Sequence, residues 1–173
     1  MCGHSLGEYT ALVAANSISL EDAILLVHKR GILMEKCKKG SMCAILNVDK
    51  DIISKTCKQI ENKFNTIVAP ANINSPKQIV ISGTIIGVNQ VVKHLTQSGY
   101  KKCIKLNVSV ASHSRLMDEI SKDFRDELNE IDFNEPNCEV IHNVDNKSSS
   151  DIFDLKEKLL NLSLITHLRA HET

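Results

Sequence analysis

Between Met42 and Val108 the chain reads as six short elements in the order β-α-β-β-α-β, and no other feature limits its fold as much. Strands are expected from Met42 to Val48, Thr66 to Ala71, Gln78 to Ser82 and Lys101 to Val108, with helices from Asp51 to Lys63 and from Thr84 to Gln97. The turn Asn74-Ser75-Pro76-Lys77 supplies the hairpin in the middle. This is the order of a split βαβ, ferredoxin-like unit.

Helical spacing governs the flanks. Apolar residues recur at that spacing from Leu6 to Ala15 and from Leu20 to Lys38, and Ser19 followed by Asp22 reads as a capped start to the second of these helices. A third long helix is expected from Ser114 to about Asn129, with Leu116, Ile120, Phe124 and Leu128 on one stripe. After the Pro136 break come a short apolar strand at Glu139 to His142, a polar loop at Ser148-Ser149-Ser150 and a last helix from near Asp151. There is no internal repeat and no low-complexity linker.

A chain of 173 residues suits one domain, or one domain carrying a smaller insert. Lys plus Arg equal Asp plus Glu at 21 each, so no overall field favours nucleic acid or an anionic membrane. The six cysteines are scattered, with no CxxC pair and no clustered histidines to complete a zinc site. They read as reduced, mostly buried thiols. No apolar run approaches the roughly 20 residues that span a bilayer. Met1 leads straight into a glycine motif rather than a signal sequence, so a cytoplasmic location is expected.

That motif, Gly3-His4-Ser5-Leu6-Gly7, satisfies G-x-S-x-G, the nucleophile elbow, in which glycines let a strand turn sharply into a helix and leave the serine hydroxyl exposed. The helix dipole and the N–H of Leu6 would favour the negative charge of an acyl-transfer intermediate. On the residues alone, Ser5 is open to two readings, nucleophile or N-cap. Only Met1 and Cys2 precede Gly3, so the strand that an elbow needs is expected to be missing, with nothing to pin the turn to a sheet. A longer parent protein that has lost its N-terminal part is the reading that follows.

On the second helix, Ala23, Val27, Met34 and Cys37 line one face, opposite Glu21, His28 and Glu35, and Arg30 falls in the middle of the apolar stripe. A buried guanidinium needs an anion, either a structural carboxylate or the carboxylate of a ligand. Both readings stay open. Val110-Ala111-Ser112-His113-Ser114 lies between a strand and a helix, where a side chain can point into a cleft. Of the seven histidines, His113 is the best placed to act as the base that a serine needs. A capping or surface role is its alternative. His28 and His94 fall on solvated helix faces, His142 before a turn, and His167 and His171 in the terminal segment.

Gly3-His4-Ser5-Leu6-Gly7-Glu8-Tyr9, Arg30-Gly31, Asn72-x-Asn74-Ser75-Pro76-x-Gln78-x-Val80-Ile81-Ser82-Gly83, Ser112-His113-Ser114-x-x-Met117 and Asn143-Val144-Asp145 together resemble the malonyl-CoA:acyl carrier protein transacylase family in order and spacing. The resemblance runs from Gly3 to about Leu160. It implies an α/β fold: a partial α/β-hydrolase-like large subdomain (1–40 and 109–173) with an inserted ferredoxin-like small subdomain (41–108). It further implies ping-pong transfer of a malonyl group from malonyl-CoA to the phosphopantetheine thiol of acyl carrier protein, in fatty acid biosynthesis. Ser5 matches the nucleophile, His113 its general base, and Arg30 the partner of the malonyl carboxylate. Leu6 supplies one oxyanion N–H, and His4 joins Leu6 and Arg30 in binding substrate. No cofactor, metal, nucleic acid or membrane is expected, and the chain is expected to be a monomer. Lys36, Lys38, Lys101 and Lys102 are the candidates for docking the acidic carrier.

Two departures stand against that pattern. The family's second oxyanion N–H comes from a glutamine-containing loop upstream of anything present, and residues 163–173 match none of the expected Pro-Val-x-Trp-like continuation. A chain shortened at both ends is therefore expected, and its own activity is left open. The rival readings are a serine esterase or thioesterase, a non-catalytic remnant, and an acyltransferase module of a polyketide synthase.

Overall fold

A computed structural model describes residues 1–108 and 110–164. The remaining sequence, including His167 and His171 and most of the segment that departs from the family pattern, lies outside the described residues. The described chain is α/β and divides into two compact units, residues 1–36 with 119–163, and residues 37–118.

The second unit holds a four-stranded sheet built from β1 (Ser41–Leu46), β2 (Val68–Ser75), β3 (Gln78–Gly83) and β4 (Cys103–Lys105). Its spatial order is β2-β3-β1-β4, and each neighbouring pair is antiparallel. Two helices, α3 (Lys50–Phe64) and α4 (Ile85–Gln97), connect β1 to β2 and β3 to β4. Strand alternation sorts the side chains into two layers. Cys43, Ile45, Ile79 and Ile81 pack with Ile53 of α3 and Val91 of α4, while Met42, Ala44, Ala71 and Val80 cluster separately with Leu106. Both helices begin where the sequence offers an oxygen cap. Asp49 accepts the Asp51 N–H at 2.8 Å, and Thr84 accepts the Gly87 N–H at 3.0 Å.

Helices form most of the first unit: α1 (Gly7–Ala14), α2 (Leu20–Lys36), α5 (Ser121–Asn129) and α6 (Ile152–Leu164). Helix α2 packs against both α1 and α5. Ser19 caps the start of α2: its hydroxyl accepts the Asp22 N–H at 3.0 Å and donates to the Asp22 carboxylate at 2.7 Å.

Four expectations need correction. The strand foreseen over Lys101 to Val108 shortens to three residues, because only Cys43 to Ile45 of β1 face it. The helix foreseen from Ser114 to Asn129 breaks into a 3₁₀ helix, Arg115–Ile120, followed by α5. Leu116, Ile120, Phe124 and Leu128 are nonetheless all buried. The strand foreseen at Glu139 to His142 is a single bridging residue, Ile141, paired in parallel with Cys2 and antiparallel with Ser148. The cysteines are free, but only Cys37, Cys43 and Cys57 are buried, while Cys2 is exposed.

Candidate active site

Ser5 has φ +52°, in the left-handed region that side chains larger than glycine's rarely adopt. Such a residue persists only where its surroundings hold it. Here the chain turns at once into α1: the carbonyls of His4, Ser5 and Leu6 accept the N–H groups of Gly7, Glu8 and Tyr9 at 2.9, 3.0 and 3.2 Å. A Cβ on Gly3 would stand 2.0 Å from the Gly7 carbonyl oxygen, so the chain passes closer to the helix than any other residue permits. The N-cap position falls to Leu6, which makes no side-chain cap hydrogen bond. Ser5 is half-buried, and His4 and Leu6 beside it are exposed.

No named strand feeds the elbow among the described residues, but isolated contacts hold the turn. Cys2 bridges in parallel to Ile141, whose N–H donates to the Met1 carbonyl at 2.8 Å. Asn143 does more. Its Oδ1 accepts the Ser5 N–H at 2.8 Å, while its Nδ2 donates to the Gly3 carbonyl at 2.6 Å and to Glu8 Oε2 at 2.8 Å. The Asn143 backbone N–H donates to the same Glu8 oxygen at 2.9 Å. The other oxygen, Glu8 Oε1, meets His142 Nδ1 at 2.8 Å, and both of these side chains are fully buried. A carboxylate so enclosed needs its donors, and these three supply them.

Sequence reasoning missed this cluster. It set His142 aside as preceding a turn and gave Glu8 no role. A signal was present, because Glu8 lies four residues before Leu12 on the inward face of α1, an unusual place for a carboxylate. Its partner lies 134 residues away, and no local pattern joins the two.

Arg30 lies in the first unit with Ser5, and His113 in the second. Arg30 is 8% exposed on the buried face of α2, beside Leu26, Leu33 and Met34. His113 is 4% exposed, which removes the surface reading, and at φ +57° it too is left-handed. The capping role there belongs to Ser114, whose hydroxyl accepts the Leu116 N–H at 3.3 Å and donates to the Ala111 carbonyl at 2.7 Å. A shaped turn therefore presents a buried imidazole, as one presents the serine.

Below the elbow, Asp145 and Lys158 pair at 2.9 Å. Burial alone pushes the Asp145 carboxyl up, but the Lys158 hydrogen bond and the Lys147 N–H outweigh it and hold the carboxyl below its ordinary value. No group of three or more His, Cys, Asp or Glu residues that could hold a metal occurs among the described residues. Nor is any helix among them long and apolar enough to cross a membrane.

The chain is similar to known proteins over most of its length. The malonyl CoA-acyl carrier protein transacylase of Staphylococcus aureus is 38% identical over 161 residues, covering 91% of this chain and 52% of that protein. Its counterpart in Haemophilus influenzae is 37% identical over 163 residues, covering 92% and 52%. The chain thus spans about half the length of the curated relatives it matches. Among solved structures, malonyl-CoA:acyl carrier protein transacylase from Xanthomonas oryzae superposes with a TM-score of 0.91 at 34% identity, over 95% of this chain and 53% of that one. A malonyl-transacylase solved in complex with a type II PKS acyl-carrier protein gives 0.91 at 36% identity, over 96% and 54%. Residues 1–160 match the family described as the acyl transferase domain, and the chain belongs to that family.

Proposed function

We propose that this chain carries the chemistry of an acyl carrier protein S-malonyltransferase of fatty acid biosynthesis, moving a malonyl group from malonyl-CoA to the phosphopantetheine thiol of acyl carrier protein. The observation that carries the proposal is the left-handed Ser5 at the mouth of α1, closed behind by Gly3 and tethered through its N–H to Asn143. Both curated relatives described above bear this activity in their names.

The Ser5 hydroxyl attacks the thioester carbonyl while the His113 imidazole takes its proton. The carbonyl oxygen becomes an oxyanion, to which the Leu6 N–H donates. Collapse expels the coenzyme A thiol, which leaves with the proton from His113. The carrier's thiol then attacks the malonyl-serine ester by the reverse route, and Ser5 recovers its proton. Arg30 pairs with the distal carboxylate of the acyl group and so selects a diacid, while His4 flanks the bound acyl chain. Thioester exchange moves no electrons between redox centres, so no cofactor is required.

The same proposal assigns the antiparallel β2-β3-β1-β4 unit as a ferredoxin-like small subdomain, residues 41–108, inserted in an α/β-hydrolase-like large subdomain formed by 1–40 and 109–173. It also treats the protein as a cytoplasmic monomer that docks its acidic carrier on Lys36, Lys38, Lys101 and Lys102. That attraction should weaken with salt.

Incubation with malonyl-CoA followed by intact-mass measurement tests the central step. One malonyl group should add to the chain, none to Ser5→Ala, and holo acyl carrier protein should remove it. A purified chain that gains no adduct on Ser5 would overturn the proposal.

A further inference from the structure

We infer that Asn143, held in place by Glu8, is a positioning residue for the Ser5 nucleophile. The inference rests on the acyl-transfer reading for what Ser5 does, but its geometry is independent of that reading.

A serine at φ +52° stores backbone strain, which its neighbours must offset. Asn143 grips the elbow on both sides of His4, accepting from the Ser5 N–H and donating to the Gly3 carbonyl. Two peptide units that would otherwise relax are thus fixed relative to each other. Glu8 decides which way the amide faces. Its Oε2 takes both the Asn143 Nδ2–H and the Asn143 backbone N–H, leaving Oδ1 turned toward Ser5. Glu8 is fully buried with its second oxygen on His142 Nδ1, so it has no route to swing into solvent. The network therefore joins the turn, the first residues of α1 and the segment after Val140. It also commits the Ser5 N–H to Asn143 and leaves the oxyanion to other donors, Leu6 first among them.

A fluorophosphonate, which carries neither thioester nor carboxylate, reads the presentation of Ser5 by phosphonylating its hydroxyl with loss of fluoride. In Asn143→Ala the labelling rate constant per folded molecule should fall about 10- to 100-fold with the reagent's apparent affinity unchanged. Glu8→Gln keeps the volume and one acceptor oxygen, and should fall by less. Phe124→Leu, a core change in the same unit, serves as the stability control and should label at the parent rate after a similar drop in Tm. Should Asn143→Ala not fold, Glu8→Gln decides alone. Unchanged labelling in the folded variants overturns the inference, as does equal slowing in Phe124→Leu or failure of the parent chain to label. A parent chain that labels but is never acylated by malonyl-CoA defeats the acyl-transfer reading alone, and the variants still decide the positioning role.

Discussion

A Cβ built on Gly3 meets the Gly7 carbonyl oxygen at 2.0 Å, whereas one built on Gly7 meets nothing within 4 Å. The two glycines of the elbow therefore do different work. Gly3 lets backbone approach backbone, and that atom cannot move aside without shifting the start of α1. Gly3→Ala should cost about 3 kcal/mol or more and abolish fluorophosphonate labelling. Gly7 occupies an ordinary first helical position with room for a methyl group, so Gly7→Ala should leave stability within about 1 kcal/mol of the parent, on the favourable side. Urea melts of the two variants check the contrast, and equal losses would refute it.

Arg30 is the second place where one substitution separates roles. The residue is 8% exposed within an apolar stripe, and on the proposed reading its purpose is to meet a distal carboxylate. Arg30→Ala should lower malonyl transfer by about 10²-fold while acetyl transfer rises relative to it, because acetyl leaves no carboxylate to satisfy. Competition between the two thioesters for Ser5 measures the ratio directly. Equal losses on both would assign Arg30 to the fold alone.

The legibility of these features in the sequence follows the range of the interactions that make them. The buried side of α2 could be read from its own spacing, and Arg30 with it. The caps at Ser19 and Thr84 are equally local. Periodicity failed to separate the 3₁₀ turn at Arg115–Ile120 from α5, because the four-residue steps from Leu116 to Leu128 read as one continuous α-helix. It also overstated the apolar run at Glu139 to His142, where pairing is confined to Ile141. The support of the elbow was the least legible part. Ser5 to Asn143 and Glu8 to His142 close over 138 and 134 residues, and a single sequence carries no sign of which distant amide will meet which N–H.

The Asp145–Lys158 pair gives a pH-dependent test. The Asp145 carboxyl lies below its ordinary value of 3.8 in the folded chain. Its contribution is therefore present above that value and lost as pH falls through the folded one. The Asp145 side chain is 34% exposed, so solvent screens the pair, and Lys158 keeps a second partner in Asp154 at 3.4 Å. Asp145→Asn should accordingly cost about 1 kcal/mol at neutral pH, and the gap from the parent should close below about pH 4. Melting temperatures across that range check the sign. A gap that widens in acid would mean that the carboxyl is not stabilised in its charged form.

The thiols offer a test of the second unit that is independent of any catalytic reading. Burial, reinforced by the Glu61 carboxylate, pushes Cys57 up to about 12. Burial, with Cys103 nearby, pushes Cys43 up to about 11. At pH 8 the thiolate fraction of Cys57 is then about one in ten thousand, and the side chain is walled in by the packing of α3 on the sheet. Cys2 is exposed and has no such wall of packing around it. Iodoacetamide at pH 8 should modify exposed Cys2 and leave Cys57 untouched while the chain is folded. In rising urea the Cys57 rate should climb toward that of Cys2 across the unfolding transition. Its ratio to the Cys2 rate then measures the opening of that unit, because reaction requires both exposure and ionisation. Modification of Cys57 in the native chain at the Cys2 rate would show that α3 does not cover the sheet in solution.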